Sequence, residues 1–259
     1  MKKPHNSIGR CIYCDGTDGL TREHVIPEGL GGRLVPNGRH EAFVLRDASC
    51  HNCTSITRAI EGQCQGKMMG HFRAKHGFSR KDRKREMLKV KFTSSHGEVN
   101  YRDIEPTQLP AVMLVPIFGE PGLLSGASIG GPYSIRLFAH AEKPRTPIGN
   151  QEDRFTAAGI GPDVFGQMLA KIALGFAVSQ LGIDGFKPLV RGFILGERRE
   201  FGHWIGGPMN DPPEPPSSSL HEMQLASIKT AAAEYVAVYV RLFANLGCPR
   251  NYVIVGQSH

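Results

Sequence analysis

Apolar positions change their rhythm along this chain. Around residues 19–47 they come in short runs broken by glycine and proline. The stretch "GLTREHVIP" reads as a short strand, 19–25, stopped by Pro27. "EGLGGRLVPNGRH" reads as a glycine-rich loop, and "EAFVLRD", 41–47, alternates enough for a second strand. From 48 to 77 no proline intervenes, and Ile56, Ile60, Cys64, Met68 and Phe72 recur along one side of a helix. Ser49 or Asp47 is placed to cap its start and Gly77 to end it. The predicted order is strand, loop, strand, helix.

From about Met87 the rhythm shifts again. "MLKVKF", "AVMLVPIF" and "YSIRLFA" read as strands. "GPDVFGQMLAKIALGFAVSQLG" predicts an amphipathic helix with Phe165, Met168, Leu169, Ile172, Ala173, Phe176 and Ala177 on its apolar face. Pro162 suits its first turn and Gly182 its end. "FKPLVRGFILGE" suggests a shorter helix, "NDPPEPPSSS" a polar loop, and "EYVAVYVRLF" with "NYVIVG" a closing hairpin. The fold class expected is α+β. It divides into an N-terminal module, 1–86, and a mixed α+β domain with its own core, 87–259. No internal repeat, phosphate-cradling glycine motif or nucleophile triad is visible.

Charge sharpens that division. The net charge is +7 and the pI about 9.2, which favours an anionic partner. Residues 1–90 hold 17 Lys and Arg against 9 Asp and Glu, a net of +8, so the first third carries the surplus. The opening "MKKPHNSIGR" is basic but no apolar stretch follows, and no apolar run approaches the length of a membrane span. A cytoplasmic chain with no membrane partner is expected, in a compartment where cysteines stay reduced and paired CxxC motifs point to metal before disulfide.

Four of the six cysteines form such pairs, Cys11/Cys14 and Cys50/Cys53. A two-residue gap lets both thiolates of a turn face one ion, and two turns complete a closed tetrahedral zinc site. Closed zinc has no open position for water, so its role is to hold structure. Cys64 and Cys248 have no partner in sequence and read as small buried apolar residues. The 35 residues between the two pairs are more than a minimal zinc ribbon needs, and Glu23-His24 lies among them.

The combination of C-x2-C, then "EHVIP" followed by "GG", then "ASC" with a second C-x2-C at a helix start resembles the HNH endonuclease superfamily. These are ββα-metal nucleases, and the likeness covers about residues 8–78. It is closest to the subgroup with Glu-His in place of Asp-His. The resemblance implies a DNA phosphodiester hydrolase, with RNA as the alternative substrate, and structural zinc on Cys11, Cys14, Cys50 and Cys53. It implies His24 as general base and Glu23 as ligand of a catalytic Mg2+ or Mn2+. Such chemistry suits the residue types. A histidine near neutral pKa takes a proton from water, and a divalent ion clamps phosphate oxygens. Adjacent strand residues point to opposite faces, so a bulge or strand end is needed to aim Glu23 and His24 at one phosphate.

The pattern departs from the family in one place. Members usually carry Asn or His directly after the second CxxC, where this chain has Thr54. Thr54 is a weaker oxygen ligand. Glu61, seven residues on and on the same helix face as Thr54 and Arg58, supplies the missing ligand directly or through water, or else pairs with Arg58 on the surface. Asn37 and His40 are both candidates for the residue that braces the loop. A basic array on the helix and beyond it suits backbone phosphate contacts: Arg58, Lys67, Arg73, Lys75, Arg80, Lys81, Arg83, Lys84 and Arg85. The alternative reading is a zinc-stabilised nucleic-acid-binding module that has lost catalysis. A third makes the C-terminal region an interaction domain.

Overall fold

The computed structural model describes residues 7–31, 43–75, 87–94, 96–105, 111–127, 132–140, 154–155, 160–209 and 214–259. Strand β1 (Leu20–His24) pairs antiparallel with β2 (Val44–Cys50), and helix α1 (His51–Gln63) follows without a linker. The strand-strand-helix order therefore appears as expected. The long helix anticipated to Gly77 does not. It breaks after Gln63 into a π-helical turn, Cys64–Met68, and resumes as α2 (Gly70–Lys75). Cys64, Met68, Met69 and Phe72 are all in the core on either side of this break. Ile56, placed on that face by its spacing, is exposed. Neither Asp47 nor Ser49 caps α1. Its N-cap is Cys50 with no side-chain bond, and the Ser49 hydroxyl turns to Thr54 instead.

Beyond residue 86 come β3 (Leu88–Thr93) and β4 (Val99–Ile104), with β5 (Ala111–Phe118), the short helix α3 (Gly122–Ser125) and β6 (Tyr133–His140). β3 pairs with β4 and with the two-residue strand β7 (Arg154–Phe155), while β5 and β6 form their own antiparallel pair. Helix α4 (Pro162–Leu181) is followed by β8 (Lys187–Pro188), α5 (Arg191–Ile194), α6 (Phe201–Trp204) and β9 (Ile205–Gly206). The last sheet contains β10 (His221–Lys229), β11 (Glu234–Leu242) and β12 (Asn251–Gln257), with β8 and β9 both on β12. The closing pair β11–β12 matches its sequence signal, but β10 was not anticipated. Its apolar positions are only half-buried, so its alternation is weak. The predicted shorter helix over "FKPLVRGFILGE" shrinks to α5.

α4 differs from its sequence reading in a way that organises the molecule. An amphipathic helix was expected. Instead Met168 through Gly175 are buried without interruption, so the helix is enclosed on all sides. By length and composition α4 is apolar enough to cross a membrane, contrary to the run-length reading, yet two thirds of its most apolar window, 67%, is buried inside the chain. It packs against α1 on one side and β10–β12 on another. The Cβ position of Gly175 lies 3.2 Å from Val25 of the "EHVIP" stretch, so a side chain there would need Val25 to give by a few tenths of an ångström. One buried cluster consequently includes Cys11, Val25, Leu45 and Ile60 together with Met168, Ile172, Val238 and Val253. The core does not divide at residue 86, where separate cores were expected.

His221 on β10 ties the turn after "EHVIP" to the C-terminal sheet. Its Nδ1 accepts from the Phe243 backbone N–H at 3.1 Å, which leaves Nε2–H to donate to the Leu30 carbonyl at 2.7 Å. Burial pushes its pKa down to about 4, against a weaker opposing pull from the Leu30 carbonyl. A depressed folded-state value means that the unfolded chain binds the proton more readily. The stability this residue contributes is complete above its ordinary value of about 6.5 and is lost as pH falls toward about 4. Between pH 7.5 and pH 5 the wild type is expected to lose about 2 kcal/mol more than His221→Gln, read from denaturant unfolding of the zinc-loaded proteins.

Candidate metal centre and adjoining site

The four paired cysteines meet at one point. Their sulfur atoms all lie within 4.8 Å of one another, and Cys14 Sγ is 3.7 Å from Cys50 Sγ. Tetrahedral zinc with bonds of about 2.3 Å separates its sulfurs by roughly 3.8 Å, so the spacing fits that ion. Cys11 and Cys53 are buried, Cys50 is half-buried and Cys14 is exposed. In the first knuckle Cys11 N–H donates to Gly16 O at 2.8 Å and Asp15 N–H to Cys11 O at 2.9 Å. Asp15 turns the chain at φ 60°, a conformation Asp tolerates better than most residues. The second knuckle straddles the β2–α1 junction. Backbone donation from Cys53 lowers the Cys50 thiol to about 7, whereas burial raises Cys53. Cys50 is therefore the thiol that gives up its proton most readily to a metal, and the raised Cys53 needs the ion's charge to do so.

The C-terminal region also grips this centre. Arg191 on α5 donates through Nε to Ile12 O at 2.8 Å and through its two terminal nitrogens to the Asp15 carboxylate, one of them at 2.9 Å. Arg10 adds an ion pair to Asp15 at 3.7 Å. Sequence reading missed Arg191, since nothing local to "VRGF" marks a partner 176 residues away.

The hairpin carries a bulge. Leu20 faces Cys50 and Thr21 faces Ser49, but Glu23 faces Leu45 and His24 faces Val44, so β2 holds two extra residues opposite Arg22. Asp47, at φ 50°, turns the chain there. The required irregularity is thus present, yet Glu23 and His24 still point apart. Glu23 is 4% exposed and turns into the core, whereas His24 lies half-buried at the strand end.

What Glu23 meets is Lys171. The ammonium of this α4 residue lies 2.7 Å from Glu23 Oε1 and 2.7 Å from Glu61 Oε1, and it also donates to the His24 carbonyl. Lys171 is itself 2% exposed. Burial alone lowers its pKa, but the two carboxylates outweigh burial and raise it above the ordinary lysine value, so it stays charged. The wholly buried Tyr13 hydroxyl sits beside Glu23 without reaching hydrogen-bonding geometry. Burial first, then the Glu23 and Glu61 charges, hold Tyr13 well above its ordinary pKa.

The site residues expected from sequence therefore separate. Glu23 and Glu61 come together through Lys171, and Glu61 makes no ion pair with Arg58, which is exposed. The buried Thr54 hydroxyl bonds Ser49 Oγ at 2.8 Å and Thr21 Oγ1 at 3.1 Å, so it belongs to a hydroxyl cluster under the hairpin. His24 turns Nε2 toward Glu28 Oε1 at 3.4 Å, while its Nδ1 is buried without a partner. Burial lowers the His24 pKa against the upward pull of Glu28, which leaves the ring neutral at pH 7.

Among the basic residues, Lys67 is exposed. Arg73 was expected on phosphate, but its guanidinium donates to Gly29 O and, at 3.1 Å, to Gln65 O, so it braces the turn after "EHVIP". α2 ends at Lys75. Asn37, His40, Arg80, Lys81, Arg83, Lys84 and Arg85 lie outside the described residues. Lys171 and Glu28 are the site residues that sequence reasoning missed. One signal for Lys171 was present: a single charge inside an otherwise apolar helix calls for a buried counter-charge.

Comparison with family models, with curated proteins and with solved structures finds no match to this chain. What stands is a mixed α+β chain with an N-terminal cluster of four cysteines whose geometry is consistent with structural zinc.

Proposed function

We propose that this chain is an HNH-type endonuclease that hydrolyses DNA phosphodiester bonds with His24 as general base. The observation that carries the reading is the placement of His24. It is a neutral, partly exposed imidazole at the end of a strand whose base is tied by the cysteine cluster. A neutral ring accepts a proton from water, and Glu28 at 3.4 Å stabilises the imidazolium that forms. Arg58 and Lys67, both exposed on the adjoining helical segment, supply charge for the DNA backbone. Zinc on Cys11, Cys14, Cys50 and Cys53 would stiffen the hairpin that aims His24.

The divalent ion that the resemblance implies fits these residues poorly. Glu23 and Glu61 are committed to Lys171, and Thr54 to Thr21 and Ser49. That commitment favours a second reading, a zinc-stabilised module that binds nucleic acid without cleaving it.

Nicking of supercoiled plasmid separates the two. Zinc-loaded wild type is compared with His24→Ala in Mg2+, in Mn2+ and without added divalent ion. Chelators are avoided because they also threaten the zinc. The expected result is relaxation by the wild type and a loss of about 100-fold or more in His24→Ala, with gel-shift affinity unchanged. No relaxation by either protein, with DNA still bound, overturns the nuclease and leaves the binding module.

A further inference from the structure

Glu23, Glu61 and the His24 carbonyl converge on one buried point, with the Tyr13 hydroxyl beside Glu23 as a further oxygen without a partner. Carboxylate, carbonyl and hydroxyl oxygens are the donors that hard divalent cations select. The point they surround is filled by the ammonium of Lys171. All three of its protons are used, two on the carboxylates and one on the carbonyl. The donor oxygens come from β1 and α1, whereas the cation arrives from α4, 147 residues further along the chain.

We propose that Lys171 is the resident cation of an oxygen-donor site formed by Glu23, Glu61 and the His24 carbonyl, and that it excludes a divalent metal ion from that site. The site belongs to the cation class of Mg2+, Mn2+ and Ca2+, and the lysine serves in place of the ion. Two negative carboxylates and one ammonium leave a net charge of −1. A divalent ion entering beside Lys171 meets a like charge at the closest approach. Lys171 is also buried midway along the enclosed helix α4, away from solvent. Shortening Lys171 to alanine removes the charge and opens the volume it filled, so the same oxygens become a metal site. The inference stands whether or not the protein cleaves DNA.

The test is Mn2+ binding to full-length, zinc-loaded protein, followed by the loss of the free-Mn2+ electron paramagnetic resonance signal. Wild type and Glu61→Gln are expected to show the same weak background, with no site tighter than roughly 1 mM. Lys171→Ala is expected to gain one Mn2+ site at least about tenfold tighter than that background, and Lys171→Ala with Glu61→Gln to lose it. A wild-type Mn2+ site that Glu61→Gln abolishes overturns the proposal, as does a folded Lys171→Ala that gains none. If Lys171→Ala folds only when Mn2+ is present, the proposal is supported. If it folds in neither condition, thermal melting of the wild type across an Mn2+ series decides. An unchanged Tm is the expected result, and a rise that Glu61→Gln lacks overturns the proposal.

Discussion

Stripping zinc from the protein at neutral pH is expected to unfold the β1–β2–α1 unit and to lower the stability of the whole chain. Cys11, Cys14, Cys50 and Cys53 join the start of the described chain to the β2–α1 junction. Without the ion, four thiols crowd within 4.8 Å with no disulfide bond among them. Structural zinc in small modules carries an apparent binding free energy of about 10–16 kcal/mol, which appears directly as folding free energy. Part of that is replaced here by the surrounding core, since Cys11 and Cys53 pack in the same buried cluster as α4. The expected measurements are about one zinc per chain by elemental analysis, and a broad loss of amide protection over 7–31 and 43–63 after chelation. Cys14→Ser is expected to lower zinc retention and reproduce most of that loss, because its sulfur, although exposed, is one of the four that converge. Protection that does not change on chelation, in a protein shown to be zinc-free, would falsify a structural role for the metal.

Replacing Lys171 by methionine is expected to cost about 3–5 kcal/mol of stability, the range for removing one partner of a buried ion pair. Methionine keeps most of the volume but leaves the buried Glu23 and the partly exposed Glu61 facing each other without a cation. Glu23→Gln is expected to cost less, because Lys171 still has Glu61 and the His24 carbonyl. The triple variant Lys171→Met, Glu23→Gln, Glu61→Gln removes all three charges and is expected to recover a large part of the Lys171→Met loss, as neutral replacements of buried ionic groups often do. Urea unfolding of the four zinc-loaded proteins supplies the comparison. Single and triple variants that all lie within about 0.5 kcal/mol of the wild type would show that the triad carries no such weight.

Reading of the candidate site divides along the same line. The paired cysteines, Glu23-His24 and the strand-strand-helix order were legible because each is a local pattern. A CxxC turn needs only the four residues that form it, and β1 needs only its own apolar spacing and Pro27. The direction in which Glu23 points was not legible. It depends on two extra residues in β2 opposite Arg22, and on a lysine that approaches from α4. The same holds for Arg73, whose charge suggested phosphate but whose guanidinium binds the Gly29 and Gln65 carbonyls. A charge in sequence states what a residue can attract, and packing decides which partner is near enough to be attracted.

By itself the sequence determined that this protein has a thiolate clamp able to take zinc, an acidic residue beside a histidine within it, a basic N-terminal third and a long helix with an apolar face that starts near Pro162. The tertiary structure alone decided that this helix is enclosed rather than amphipathic, and that its only lysine pairs with both Glu23 and Glu61. The physical reason is the range of the interactions. Turns, caps and strand alternation are set by neighbours a few residues apart, whereas a buried charge is settled by whichever counter-charge the folded core brings within hydrogen-bonding distance.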